Sequence, residues 1–118
     1  MATVVPVTTF PYETSLDVAV TTWYGMGKDD DGEPVQLVVF SDRSVQIAGA
    51  FGGASITIGG SNDGVTYHAL TDAAGVPLTL TDTALRQIME LPVWIKPRVF
   101  GGSPATNLAV IIAGRRSL

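Results

Sequence analysis

Along most of the chain, apolar and polar positions alternate with a period of two, and the runs are short. Leu16, Val18 and Val20 alternate with Asp17, Ala19 and Thr21. That is the pattern of a half-buried strand, here ending near Trp23-Tyr24. Gln36 to Phe40 and Ser44 to Phe51 predict two more strands, joined tightly by the turn-forming Ser41-Asp42-Arg43. Ala54, Ile56 and Ile58 share one face of the next strand. Gly59-Gly60-Ser61-Asn62-Asp63-Gly64 then leads into Val65 to Leu70. Asn62 and Asp63 tolerate unusual backbone angles and Gly64 can supply a positive φ, so a hairpin is predicted here. A short strand from Pro77 to Leu80 precedes the one helical pattern. Leu85, Ile88 and Met89 fall at i, i+3 and i+4, Thr81 or Asp82 can cap, and Pro92 terminates. These signals predict a short helix near residues 82–91.

The last strand pair runs from Val93 to Phe100 and from Asn107 to Gly114. Val93, Ile95, Pro97 and Val99 point one way, while Trp94, Lys96, Arg98 and Phe100 point the other. Pro97 has no amide to donate, which predicts an edge position or a bulge. Leu108, Val110 and Ile112 alternate with Ala109, Ile111 and Ala113. About eight strands with closely spaced turns and one short helix predict an all-β fold. The expected form is an antiparallel β-sandwich, jelly-roll-like, with a partly open barrel as the rival. Residues 1–12, rich in Thr and Val but broken by Pro6 and Pro11, predict an extended N-terminal arm ahead of a single sandwich domain over 13–118.

Composition sharpens this picture. The chain has 118 residues, the size of one domain. Only 15% of them are charged, and mean hydropathy is +0.31. A small domain has the most surface to cover for its volume, so so few ions predict an exterior partly hidden against identical copies or a larger assembly. A monomer coated in Thr, Ser and Gly is the plainer alternative. The net charge of −4 is unevenly spread. Residues 1–92 hold all eleven carboxylates against Lys28, Arg43 and Arg86, whereas residues 93–118 hold Lys96, Arg98, Arg115 and Arg116 and no acid. Such a split favours head-to-tail contact between copies or docking on an acidic partner. Four cations on an acidic chain are a poor match for nucleic acid. No apolar run approaches the roughly 18 residues of a membrane span, and Met1 to Pro6 lack the basic start of a secretory leader.

Candidate chemistry is sparse. There is no cysteine, which removes disulfides, thiol catalysis and cysteine–zinc sites, and the single histidine, His68, removes any multi-histidine metal site. Gly53-Ala54-Ser55-Ile56-Thr57 lacks the second glycine of a nucleophile elbow. Asp29, Asp30 and Asp31 are adjacent, so they cannot flank a sugar from opposite sides, and Gly27 stands where the first acid of an EF-hand would be. Gly25-Met26-Gly27 lacks the rest of a dinucleotide fingerprint. No enzyme activity and no cofactor are expected. Trp23-Tyr24 and Trp94 keep a carbohydrate platform open. The outward row Trp94, Lys96, Arg98 and Phe100 combines aromatics with cations, the residue types enriched at interface hot spots. Lys and Arg stems merely covering the rings is the simpler account.

The run Gly52-Gly53-Ala54-Ser55-Ile56-Thr57-Ile58-Gly59-Gly60-Ser61-Asn62-Asp63-Gly64-Val65-Thr66-Tyr67 resembles the strand–SNDG–strand signature of small β-sandwich virion proteins of tailed bacteriophages. Leu91-Pro92-Val93-Trp94-Ile95-Lys96-Pro97 and the closing strand into Arg115-Arg116 are similar too, so the likeness covers roughly residues 44–116. Discoidin-like carbohydrate-binding sandwiches share a comparable hairpin. The resemblance implies a capsid decoration (cement) protein, made in the host bacterial cytoplasm and located in the virion. It also implies a homo-oligomer, a trimer, that clamps neighbouring copies of the major capsid protein. A head–tail or tail component and a carbohydrate-binding module are the alternatives. The arm suits strand addition to a neighbour. Val4, Val5, Val7, Phe10, Trp94, Lys96, Arg98, Phe100, Arg115 and Arg116 are the expected interface residues.

Overall fold

The computed structural model describes residues 2–11, 17–37 and 39–116. It contains twelve strands: β1 Thr3–Val4, β2 Val7–Thr9, β3 Val18–Met26, β4 Asp31–Gly32, β5 Val35–Gln36, β6 Asp42–Ala50, β7 Ser55–Ser61, β8 His68–Ala69, β9 Thr79–Leu80, β10 Ala84–Ile88, β11 Trp94–Phe100 and β12 Asn107–Arg115. They form two sheets. The front sheet is ordered β1-β4-β11-β7-β8, with β5 also on β11 and β9 also on β7; the back sheet is ordered β10-β6-β12-β3-β2. Every pairing is antiparallel except β1 with β4.

β4 with β5 fill one strand position, as do β8 with β9. Eight positions then remain besides the arm, four per sheet, and the chain crosses from sheet to sheet in jelly-roll order. The protein is an all-β sandwich, as the alternation predicts. The arm extends it: β1 adds to the free edge of β4 and β2 to the free edge of β3, so the two short strands cover the same side of both sheets. Tyr12 and Leu16 lie outside the described residues.

Between the sheets, Trp23, Met26, Val45, Ile47, Ile56, Ile58, Ile95, Val99, Leu108, Val110 and Ile112 are fully buried. β11 lies inside the sheet rather than at an edge, and Pro97 is accommodated by a gap. Val99 N–H donates to Asp30 O on the β4 side, so the missing amide of Pro97, two residues earlier, faces the same way. There β4 has ended and β5 has not begun, and no ladder bond is forfeited. Gly32 lets the pyrrolidine ring close in, since a side-chain carbon on it would lie 2.6 Å from the ring.

Three further sequence expectations are corrected. Residues 82–91 form no helix: Ala84–Ile88 is β10, paired with β6 from Ile47 to Arg43. Of the supposed helical stripe only Ile88 is buried, while Leu85 and Met89 are exposed. A helix this short is marginal alone, and the open edge of β6 offers a row of hydrogen bonds instead. Second, Gln36 to Phe40 and Ser44 to Phe51 do not make a hairpin; β5 belongs to the front sheet and β6 to the back. Third, β3 sits in the opposite phase from the one its valines suggest. Ala19, Thr21 and Trp23 are buried, and Val18 and Val20 lie half-buried on the outside. One step of register moves a whole strand face. Burying the Trp23 indole, whose N–H donates to Glu33 O at 3.0 Å, outweighs burying two valines. Thr21 is tolerated inside because its hydroxyl bonds that of Thr8 at 2.9 Å.

Candidate interaction faces

The expected hot-spot row does project from the front sheet, because Ile95, Pro97 and Val99 take the inward phase of β11. Its surroundings are contributed by neighbouring strands in register. Trp94 lies under the hairpin, where a side-chain carbon on Gly64 would come within 3.1 Å of the indole nitrogen. Lys96 Nζ is 3.0 Å from Asp31 Oδ2 and 4.5 Å from the Tyr67 ring centroid. The Arg98 guanidinium lies 5.4 Å from the Phe100 ring. Each cation therefore covers an aromatic ring, as long stems do, and the row presents mainly Phe100, 49% exposed. Beside it, Gly59 in register with Lys96 and Ala69 leaves a dent of about 180 Å³. Burial raises the Tyr67 phenol above its ordinary pKa, with the Asp31 and Asp63 charges adding to it.

The remaining expected interface residues are dispersed. Val4 packs against the core. Val5 and Phe10 are exposed at the arm, and Val7 faces outward from the back sheet. Arg115 stands opposite Asp42 across the β12–β6 ladder, and Arg116 Nη2 is 3.1 Å from Asp17 Oδ1. Folding thus undoes the charge split along the sequence. Lys96 and Arg98 meet Asp31, the latter as its ladder partner, and Arg115 and Arg116 meet acids from the other end of the chain.

The acidic loop is structural. Asp29, at φ 57°, exchanges hydrogen bonds with Gly101 through main chain and carboxylate. Asp30 accepts from Ala2 N and Gly27 N. The three aspartates point to three different partners.

His68 is exposed on β8 and borders a depression of about 600 Å³ together with Asp63 and Glu90. Both acids are engaged in holding loops. Glu90 accepts from the Thr71 amide and hydroxyl. Those bonds outweigh the upward push of burial and lower its pKa. Asp63 Oδ1 accepts from Thr66 N, Val65 N and Ser61 Oγ, and these donors hold its carboxyl down to about 2. A carboxylate with a lowered folded-state pKa stabilises fully above the ordinary value of 3.8 and loses that contribution as pH falls toward about 2. Urea midpoints measured across this range should fall more steeply for the native protein than for Asp63→Asn; identical slopes would remove Asp63 from the hairpin's support.

A surface missed by sequence reasoning lies on the outside of the back sheet. Its five strands are in register, so whole rows can be followed across it. One row is Val7, Thr22, Ile111, Gln46 and Leu85; the next is Thr9, Val20, Ala113, Ser44 and Gln87. Ala109 and Ala48 pair in a third. Beside them an irregularity in β3, with Gly25 at φ 66°, turns Tyr24 outward. None of these twelve positions along the three rows is charged. Leu85 and Tyr24 are each 64% exposed and Val7 54%. Charges appear where the face ends, with Arg115 between Val18 and Asp42. The available signal was that β3 and β12 are apolar or uncharged in both phases, whereas a one-sided strand alternates.

These features define a jelly-roll sandwich with one aromatic–cationic face and one uncharged face. No protein-family model and no curated protein sequence matches the chain. Among solved structures, the SPBc2 prophage-derived protein YomS is similar, with a TM-score of 0.64 at 13% identity, covering 82% of this chain and 93% of its own. At that identity the likeness is one of fold. IMPa from Pseudomonas aeruginosa, solved in complex with an O-glycopeptide, matches more loosely, with a TM-score of 0.46 at 13% identity. That match covers 85% of this chain and 12% of the larger one.

Proposed function

We propose that this protein is a non-enzymatic structural component of a tailed-bacteriophage particle. Its role is that of a capsid decoration protein that oligomerises and holds neighbouring shell subunits together. The uncharged face of the back sheet carries this reading. Two full rows across five strands without an ion are a poor boundary with water for a domain this small, and a good one with protein. The phage setting is supported by the resemblance over residues 44–116 and by the shared fold of the prophage-derived YomS. Many modest contacts repeated by shell symmetry would give tight attachment without a deep pocket.

Imaging particles of the encoding phage, with and without this gene, tests the proposal. Density on the outer shell, and empty shells that disrupt at lower temperature when the gene is deleted, are expected. Density at the neck or tail would reassign it to the head–tail alternative, and absence from purified particles would end the virion reading. The front-sheet dent favours a second reading, a carbohydrate-binding module, because aromatic rings sit beside Lys96 and Arg98. Glycan-array binding by a protein absent from particles would establish that reading instead.

A further inference from the structure

We infer that the uncharged back face is where two copies of this chain meet, back sheet against back sheet, about a two-fold axis. This rests on the reading that the face is covered, and it names the cover. Three observations select a second copy.

The first is charge. Each chain carries a net −4, so two copies repel wherever their acids approach, and the face without ions removes that penalty. The front face offers no such relief, since Asp31, Lys96 and Arg98 lie on it.

The second is self-complementarity. A surface that meets itself must match its own chemistry. The polar positions it presents are Thr9, Ser44, Gln46 and Gln87, Thr22 being buried. Hydroxyls and amides both donate and accept, so any of them can pair with whichever other it meets across the axis, which two carboxylates or two ammonium groups cannot do. Val20, Ile111 and Ala113 lie between them as the apolar centre, and the Arg115–Asp42 end supplies a charged rim.

The third is size. The three central strands are nine residues long. With strands about 4.8 Å apart and rising about 3.3 Å per residue, and with shorter strands at both edges, the face spans roughly 600 Å² per copy in projection. Accessible area exceeds projected area, so this approaches the roughly 800 Å² per partner of a stable complex. Two twisted sheets stack face to face about 10 Å apart, as they do within a sandwich. A face that meets itself closes after two copies, so a dimer replaces the trimer that the family resemblance implies.

Light scattering after gel filtration of the full chain, from about 1 to 100 µM, tests this. The native protein should run at twice its 12.4 kDa. Gln46→Glu, an isosteric change at an exposed position, brings a carboxylate from each copy into the ion-free contact and should raise the dimer dissociation constant by ~100-fold or more. Ile111→Glu should do the same at the centre, with circular dichroism confirming the fold. Phe100→Glu, on the opposite face, should leave the dimer intact. A single-copy or three-copy mass for the native protein, dimers that survive Gln46→Glu, or dimers broken by Phe100→Glu would each overturn the inference. A single-copy protein still found on particles would leave the virion role standing with another partner on this face. A dimer absent from particles would do the reverse.

Discussion

Replacing Arg43 by methionine is expected to cost about 3 kcal/mol of folding stability. Arg43 is 3% exposed, at the inward phase of β6. Its Nε donates to Phe40 O at 2.9 Å, Nη2 to Leu37 O at 2.6 Å and Nη1 to Pro92 O at 3.4 Å. Burial lowers its pKa, yet a guanidinium keeps its charge and satisfies carbonyls in several directions at once. Those carbonyls belong to the crossing from β5 to β6 and to the approach to β11, so one side chain ties the back sheet to two segments leading from and into the front one. Methionine restores the apolar stem, leaves Phe40 O without its donor and leaves Leu37 O with the Phe40 amide alone. Lysine keeps the charge and lacks the fork, so Arg43→Lys should recover less than half of the loss. Urea unfolding checks this through midpoints at constant slope. A loss below about 1 kcal/mol for methionine, or full recovery by lysine, would show that burial of the stem rather than the carbonyl bonds matters.

Gly49→Ala should be comparably severe, costing at least about 3 kcal/mol and lowering the yield of folded protein. Gly49 lies within β6 at φ 109°, opposite Leu108 on β12. A side-chain carbon there would come within 2.3 Å of Asn107 O. The obstacle is main chain, so no rotamer change can relieve it, and the β6–β12 ladder would have to open. Gly53 separates that clash from simple backbone strain. It also has a positive φ, 88°, but nothing within 4 Å of the added carbon. Gly53→Ala should therefore cost only about 1–2 kcal/mol. Equal losses at the two positions would mean that conformation alone accounts for the effect.

The two predictions differ in how visible they were beforehand. Arg43 sits in a turn-like Ser-Asp-Arg cluster and looks like an ordinary surface cation; its burial depends on carbonyls six residues before it and forty-nine after. Gly49 falls on the same phase as Val45 and Ile47, with nothing nearby to mark it as a contact with the far end of the chain.

Local pattern by itself determined the all-β class, the hairpin at Ser61–Gly64, the inward phase of β11 and the outward row from Trp94 to Phe100. In each, period-two alternation or a turn residue acts over a few neighbours, and no distant partner is needed. Tertiary structure alone decided the rest. Leu85, Ile88 and Met89 satisfy a helical stripe, and only the open edge of β6 makes Ala84–Ile88 a strand. Val18 and Val20 look like core, and only the burial of Trp23 turns them outward, where Val20, in register with Ala113, Ser44 and Gln87, joins an ion-free surface and Val18 meets Arg115 at its end. The basic end of the chain looks like one pole of a dipole until folding sets it against Asp17, Asp31 and Asp42. The physical reason is common to all three: hydrogen-bond pairing, strand phase and charge neutralisation across a sandwich depend on residues tens of positions apart, whose meeting no local pattern records.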